Sequence, residues 1–348
     1  MATTETVKAK SLYRVREGDF AFNRIDTQKG AFDVVPAELD GALATNEFPL
    51  YEVDEKEVVA RFLLLNFQRP EVLRQIGAMR AGSEGRARWK EADFEAWVVP
   101  VPPLPVQLQI TEVIDSVDDQ ITALDAEADT LHGVLRRLRA ELVNDPAVPT
   151  TRADEAFQIT MGRQRAPKYA TGPYMTPYLR SANVGYGTLD LTDVLEMNFD
   201  PKEREVFGLV PGDVLVSEGS ASHSAVGMPT VWRGELPEPI CFQKTLMRYR
   251  AIEGVSIPAF VNHWCLWAYE SGTFLDIAGG TNIKHITAMR AVRMPVRLPD
   301  RTDQGRIASE LDTMSGTVAA LRTEAHRLRS TRAGLLAGLL DQSITIDV

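Results

Sequence analysis

The stretch ITEVIDSVDDQITALDAEADTLHGVLRRLRAEL, residues 110–142, decides the fold, and IASELDTMSGTVAALRTEAHRLRSTRAGLLAGL, residues 307–339, repeats its pattern. In the first, apolar residues fall at Ile110, Ile114, Val117, Ile121, Leu124, Ala128, Leu131, Leu135, Leu138 and Leu142, in steps that alternate four and three without a slip. In the second, the same steps give Ile307, Leu311, Met314, Val318, Leu321, Ala325, Leu328, Arg332, Leu335 and Leu339, where Arg332 alone is not apolar. The offset is a constant 197 positions, and it also aligns Gln107 with Gln304 and Glu127 with Glu324. A sustained four-three pattern is the seam of a coiled coil. Neither stretch contains a proline, while Pro105 and Pro299 stand shortly before them. Asp300 or Thr302 is placed to cap the second helix, and Asn144-Asp145-Pro146 to end the first. A helix of about 38 residues is roughly 57 Å long. Two amphipathic helices buried in separate cores are the ordinary alternative, but such helices rarely keep a strict heptad over so many turns, twice in one chain.

Working outward, each long helix follows a mixed segment with related punctuation. Glu17-Gly18-Asp19-Phe20-Ala21-Phe22 resembles Pro211-Gly212-Asp213-Val214-Leu215-Val216, each a turn feeding a short buried strand. A helical apolar stretch follows, Val58 to Ile76 and Ile257 to Ile277. Next come glycine-bearing polar loops at 80–86 and 279–285, then proline-rich lead-ins at Val98–Pro105 and Met294–Pro299. The predicted domains are a first lobe over 1–104, a helix over 105–143, a second lobe over 144–301 and a helix over 302–342. The linker lies at Val143–Glu155. Aligned on the Gly-Asp turn, Met1 falls near Leu195, so Thr151–Val194 has no counterpart in the first half. The expected fold is therefore α/β (α+β) lobes joined by a long two-helix coiled coil, with a pseudo-twofold internal repeat.

Composition sets the bounds. The chain has 348 residues, 44% hydrophobic and 25% charged, which fits two or three globular domains. Its purely apolar runs are only a few residues long, too short to span a bilayer, and the start Met1-Ala2-Thr3-Thr4-Glu5 does not read as a signal peptide. Cys241 and Cys265 have no CxxC partner or neighbouring histidine at metal spacing, and read as reduced thiols of a cytoplasmic protein. The net charge of −10 counts against a compact nucleic-acid-binding domain, which is usually basic, but leaves room for local basic loops on an acidic frame.

The order of lobes and helices resembles the specificity subunit of type I restriction-modification systems. The residues that carry the resemblance are the Gly-Asp strand starts, the Gly-Ser and Gly-Thr loops, the Pro102-Pro103-Leu104-Pro105-Val106-Gln107 lead-in and the heptad helix after it. It covers nearly the whole chain, and the repeated order makes it specific. The resemblance implies a subunit of a restriction system acting in DNA methylation and phage defence, with two target-recognition domains that each read half of a split double-stranded DNA site. Two conserved helices would pack as a long antiparallel coiled coil between the recognition domains, fix their spacing and bind two methyltransferase (modification) subunits, and a nuclease-translocase subunit can join. S-adenosylmethionine is expected on those methyltransferase partners, with no cofactor on this chain. The first recognition domain departs from the pattern in lacking its N-terminal part. Three consequences stay open: a naturally shortened lobe, a lobe completed by another chain, or a half-site read weakly.

Catalytic motifs are missing. The nearest approach to an adenine methyltransferase motif is Asn144-Asp145-Pro146-Ala147, which lacks the second proline and the aromatic residue and reads as a helix stop. There is no GxxxxGK[ST] phosphate loop, and Ser217, Ser220, Ser222 and His223 lack a GxSxG elbow. His132, His223, His263, His285 and His326 show no metal spacing, so no metal is expected, and His263 beside Trp264 and Trp267 reads as a packed core residue. Base reading needs Arg or Lys for guanine and Asn or Gln for adenine, and phosphate contacts need Lys, Arg, Ser or Thr. In the second lobe three clusters fit: Arg163, Gln164, Arg165, Lys168 and Tyr169, followed by Tyr178, Arg180 and Asn183; Ser217–Ser224, including Ser220, Ser222 and His223; and Thr281, Asn282, Lys284 and His285. In the first lobe the candidates are Asn23, Arg24, Gln28, Lys29, Arg80, Ser83, Arg86, Arg88 and Lys90. Each alone is more often a solvated surface residue. Arg136, Arg137, Arg139, Glu141, Arg322, Glu324, Arg327 and Arg329 read equally well as a solvated helix face or as a docking surface for modification subunits. A second reading, from a different class, is a coiled-coil scaffold that binds only proteins.

Overall fold

The computed structural model describes residues 11–79, 88–220, 222–281 and 283–345. The chain divides into two compact units, one formed by residues Met1–Glu127 with Leu321–Val348 and the other by Ala128–Ala320. Two helices stand out, Leu104–Val143 and Arg301–Leu340, each of 40 residues and so roughly 60 Å long. Asp300 caps the second: its Oδ1 accepts from the amides of Thr302 and Asp303, both at 2.9 Å. No helix among the described residues is long and apolar enough to cross a membrane.

The first unit contains β1 (Tyr13–Arg14), β2 (Phe20–Phe22), β3 (Phe32–Val34), β4 (Leu43–Ala44) and β5 (Leu50–Tyr51). β1 pairs with β4, and the other three form a sheet in the order β3-β2-β5. Phe20, Phe22, Phe32, Phe67, Ile76 and Trp89 make its aromatic core. The apolar stretch 58–76 is not one helix: Pro70 starts a new one, giving Ala60–Phe67 and Pro70–Met79. A short helix, Glu91–Glu95, precedes the long one. Ile110 and Ile114 share a second cluster with Phe62, Leu65, Leu336 and Leu339.

The second unit holds β6 (Thr150–Arg152), β7 (Phe157–Met161), β8 (Met175–Leu179), β9 (Val184–Gly185), β10 (Thr188–Leu189), β11 (Leu195–Asn198), β12 (Val214–Ser217), β13 (Gly219–Ser220), β14 (Pro229–Val231), β15 (Cys241–Phe242), β16 (Leu246–Ala251), β17 (Lys284–His285) and β18 (Pro295–Arg297). Its main sheet runs β14-β12-β16-β7, and a smaller one runs β11-β8-β15. The apolar stretch 257–277 breaks at Gly272, whose φ of 81° a residue with a side chain rarely adopts, into helices Pro258–Glu270 and Thr273–Ile277. The core joins Phe157, Tyr249, Trp264 and Phe274 to Leu135, Val143, Ile307 and Leu311 of the long helices. The expected linker contains structure: β6 pairs with β18, and Ala153–Ala156 forms a helical turn. Cys241 and Cys265 are buried and unpaired. Burial pushes the first thiol up to about 12 and the second well above its ordinary value, so both are inert.

The two units share local geometry. In one, the amide of Gly18 donates to Val35 O (2.9 Å), and the amide of Arg16 donates to the Asp19 carboxylate (3.0 Å). In the other, Gly212 donates to Trp232 O (2.8 Å), and Val210 donates to the Asp213 carboxylate (2.8 Å). The glutamines at matching positions do matching work. Gln107 Oε1 accepts from the amide of Val59 (2.8 Å), and its Nε2 donates to Glu57 O (3.0 Å) and Pro102 O (2.8 Å). Gln304 Oε1 accepts from the amide of Ile257 (3.0 Å), and its Nε2 donates to Val255 O (3.0 Å) and Pro299 O (2.9 Å). Val59 and Ile257 are the N-cap residues of their helices, so each glutamine satisfies a helix-start amide that has no intrahelical acceptor. Both side chains are wholly buried.

Candidate nucleic-acid interface

Two of the polar clusters in the second unit, some sixty residues apart in sequence, meet in space. β13 pairs antiparallel with β17, setting Gly219 opposite His285 and Ser220 opposite Lys284. The approach requires glycine: a Cβ at Gly219 would lie 2.4 Å from both His285 Nδ1 and Lys284 O. The ribbon is closed by two hydrogen bonds between Gly279 and His285, at 2.8 and 2.9 Å. Ser222, His223, Thr281 and His285 are exposed and Lys284 is half-buried. Asn282 lies outside the described residues. Next to the ribbon in sequence, Glu218 is partly buried, which raises its carboxyl above its ordinary value despite Lys244 and the His285 ring nearby. The result is a two-stranded ribbon that presents hydroxyl, imidazole and ammonium groups from a fixed backbone.

The cluster that begins at Arg163 divides. Arg163 is buried, ion-paired to Glu203 at 2.7 Å, bonded to Asn198 O, and stacked 3.5 Å over the Tyr169 ring. Tyr178 is an interior residue of β8. Asn183 is also inside: its Nδ2 donates to Asp190 O (2.9 Å) and Asp193 O (3.0 Å), and its Oδ1 accepts from the amide of Arg180 (3.0 Å). Arg180 pairs with Asp193. Arg163, Asn183 and Arg180 are thus engaged by neighbouring protein groups, and Tyr178 packs in the interior against Phe199. Gln164, Arg165 and Lys168 remain exposed around the half-buried Tyr169.

The first-lobe candidates are mostly engaged. Asn23 Oδ1 accepts from the amide of Ile25 (2.8 Å), closing a local turn. Arg24 pairs with Glu91, and Arg88 grips Glu47 through two hydrogen bonds of 2.8 and 3.0 Å, which holds the Glu47 carboxyl below its ordinary range. Gln28 is half-buried, Lys29 is exposed and paired with Asp26 at 2.9 Å, and Lys90 is exposed. Arg80, Ser83 and Arg86 lie outside the described residues. On the long helices, Arg139 is not on the exposed face. It is 2% exposed, paired with Glu270, with its Nε 3.4 Å from His263 Nδ1. His263 Nε2 lies 3.0 Å from Asp312 Oδ1. Arg332, the polar residue in the heptad series, meets Asp118 at 2.8 Å, and Asp118 also receives Arg61 at 3.0 Å. The sequence carried a signal for the buried glutamines in their equal spacing, but none for the Glu270 and Asp118 pairs. Among the described residues, no group of His, Cys, Asp or Glu is arranged to hold a metal ion.

The comparisons with known proteins bear on this geometry. Over 193 residues the chain is 25% identical to the type I restriction enzyme StySPI specificity subunit of Salmonella potsdam, and 24% identical to the EcoKI specificity subunit of Escherichia coli K12. Its curated homologues are type I restriction enzyme specificity subunits. The matched stretch is 54% of this chain and 40% of each relative, so the chain spans well under two thirds of the length of these specificity subunits. In structure, it matches a chain solved in work on complex assembly and conformational transition of the type I R-M system, with a TM-score of 0.63 over 94% of this chain and 82% of that one at 17% identity. It also matches the type I restriction-modification S subunit from M. genitalium, with a TM-score of 0.55 over 97% and 91% of the two chains at 10% identity. The specificity-subunit fold is therefore shared. No family model matches the chain.

Proposed function

We propose that this chain is the DNA sequence-specificity subunit of a type I restriction-modification complex. It reads a bipartite double-stranded target and scaffolds two adenine methyltransferase subunits, and a nuclease-translocase subunit can join. In this reading it catalyses nothing itself, S-adenosylmethionine is bound by the methyltransferase partners, and the complex works in the cytoplasm. The observation that carries the reading is likeness at two levels: homologues that are specificity subunits, and a fold match over 94% of the chain.

The two long helices act as an antiparallel coiled-coil spacer, and the lobes are a pseudo-twofold repeat. Support comes from each unit separately. Ile110 and Ile114 cluster with Leu336 and Leu339 in one, and Leu135 and Val143 cluster with Ile307 and Leu311 in the other. The matched glutamine joints support the repeat. A rod of roughly 60 Å exceeds one duplex turn of about 34 Å, so the target has an unread spacer. The reading groups of the second lobe are Gln164, Arg165, Lys168, Ser222, His223, Thr281, Lys284 and His285, with Ser220 in the supporting ribbon. In the first lobe Lys29 and Lys90 make phosphate contacts.

A gel-shift assay of the chain with its methyltransferase partner tests the reading. Specific binding that weakens with salt is expected, from counterion release. Sequence-independent or absent binding would favour the scaffold instead. Inserting one heptad into each helix should lengthen the spacer in methylation maps and leave the half-sites unchanged.

A further inference from the structure

In the second unit, the loops that carry exposed polar groups meet at one tight turn, Gln243-Lys244-Thr245, between β15 and β16. The amide of Leu246 donates to Gln243 O (2.9 Å) and Thr245 Oγ1 donates to Gln243 Oε1 (2.7 Å), which closes the turn. The amide of Lys244 donates to Arg163 O (2.9 Å), at the root of the loop that bears Gln164, Arg165 and Lys168. The amide of Ser181 donates to Thr245 Oγ1 (3.0 Å). On the other side, Thr245 O accepts from the amide of Glu218 (2.8 Å), and Glu218 O accepts from the amide of Ile286 (2.8 Å). Glu218 and Ile286 lead directly into the ribbon of β13 and β17. Backbone hydrogen bonds therefore fix Lys244 and Glu218 between the two groups of candidate contacts.

Their side chains differ from the charged groups around them. Arg163 is paired with Glu203, Arg180 with Asp193 and Arg250 with Asp213. Lys244 is exposed and Glu218 half-buried, and neither side chain makes a hydrogen bond or ion pair with another described residue. They are neighbours all the same: burial disfavours the charged form of Glu218, and Lys244, then His285, favours it. A carboxylate has no place against phosphates, which are anions and offer no hydrogen to accept. The donors that a duplex presents on its major-groove edge are the amino groups of cytosine and adenine.

We propose that Glu218 and Lys244 together read one G·C base pair, with Glu218 accepting from the cytosine N4 amino group and Lys244 donating to guanine O6 and N7. This rests on the DNA-specificity reading above and deepens it. An ammonium has only donors, and guanine sets two acceptors side by side in the major groove. An A·T pair instead places its acceptors on either side of the adenine amino group, so the ammonium has no pair of acceptors beside the amine that Glu218 takes. Reversing the pair to C·G sets guanine O6 against the carboxylate, acceptor against acceptor. Because the backbone on both sides of the two residues is hydrogen-bonded, neither can swing away to accommodate the wrong base.

The test is selection of duplexes from a randomised pool by the full chain with its methyltransferase partner, followed by sequencing. If the parent chain selects no motif, the specificity reading falls and the base-pair assignment falls with it. Given a motif, Glu218→Gln should relax one G·C position by at least about tenfold and admit A·T there, because an amide both donates and accepts. The other positions should hold. Lys244→Met should relax the same base pair, whereas Lys244→Arg, whose guanidinium also suits guanine, should keep it. A purely structural turn would not distinguish methionine from arginine by one base pair. A motif unchanged by Glu218→Gln would overturn the assignment while the specificity reading stands. So would relaxation of two different base pairs by Glu218→Gln and Lys244→Met, or a uniform weakening by Lys244→Met with a shallower salt dependence, which marks a phosphate contact.

Discussion

The joints where each lobe meets its long helix are alike in one layer and exchanged in the next. Gln107 and Gln304 make the same three hydrogen bonds to equivalent backbone groups. Further along, the first helix has Leu135 then Arg139, and the second has Arg332 then Leu336 at the matching positions. In each pair the leucine is buried and the arginine is ion-paired, but the order is reversed. Backbone satisfaction has few solutions, and both joints use the same one. A charged pair can sit wherever a partner carboxylate is offered, so its position can exchange with an apolar neighbour.

The depth of the two arginines also differs, and this gives the largest expected effect. Arg139 and Glu270 are 2% and 8% exposed, and Tyr186 also donates to Glu270. Arg139→Met would leave a buried carboxylate without its cation, and should cost about 3–5 kcal/mol. Arg332 and Asp118 are 19% and 32% exposed, and Arg61 would still hold Asp118. Arg332→Leu also extends the apolar seam, so its cost should stay under about 1 kcal/mol. Urea unfolding followed by tryptophan fluorescence compares them. Equal losses would mean that burial does not distinguish the joints.

Next in size are Gln107→Leu and Gln304→Leu. Each strands one buried amide and two carbonyls, for a loss of about 2–3 kcal/mol. If the joints are equivalent, the two losses should agree within roughly 1 kcal/mol, the scatter expected of such numbers. A neutral result at one site would break the equivalence there.

Much of this frame was legible in the residues. The four-three spacing placed the helices because a buried stripe must recur at the helical period, and the burial of Ile114, Ile121, Leu311 and Val318 follows that stripe. The Gly-Asp turns were visible because positive φ favours glycine, and Gly18 and Gly212 adopt 84° and 97°. The glutamines showed only as an alignment, since which carbonyl a side chain will meet depends on chain entry angles that local sequence does not encode. The candidate interface was the least legible part. Arg163 and Asn183 have the same composition signature as Arg165 and Gln164, and only tertiary placement separates a group that satisfies a buried turn from one left facing water. The meeting of 219–220 with 284–285 is a long-range pairing, marked in sequence by nothing stronger than two glycine-bearing loops.

The smallest effect tests the joint by pH. At the repeat offset, Asp115 and Asp312 correspond, but the first takes Arg61 and the second takes His263. The hydrogen bond from His263 holds the Asp312 carboxyl below its ordinary value, against the opposing effect of burial. A carboxyl lowered in the folded state contributes fully above its unfolded pKa of about 3.9, and loses that contribution as pH falls through the folded value. Asp312→Asn should therefore flatten part of the acid limb of stability below about pH 5. At pH 7 it should cost less than about 1 kcal/mol, because the carboxylate is 56% exposed and well solvated. Stability measured by urea unfolding from pH 7 down to pH 3 reads both quantities. An acid limb identical to that of the parent chain would show that the His263–Asp312 contact does not favour the charged carboxylate, and would leave Arg139 and Glu270 as the whole electrostatic content of that joint.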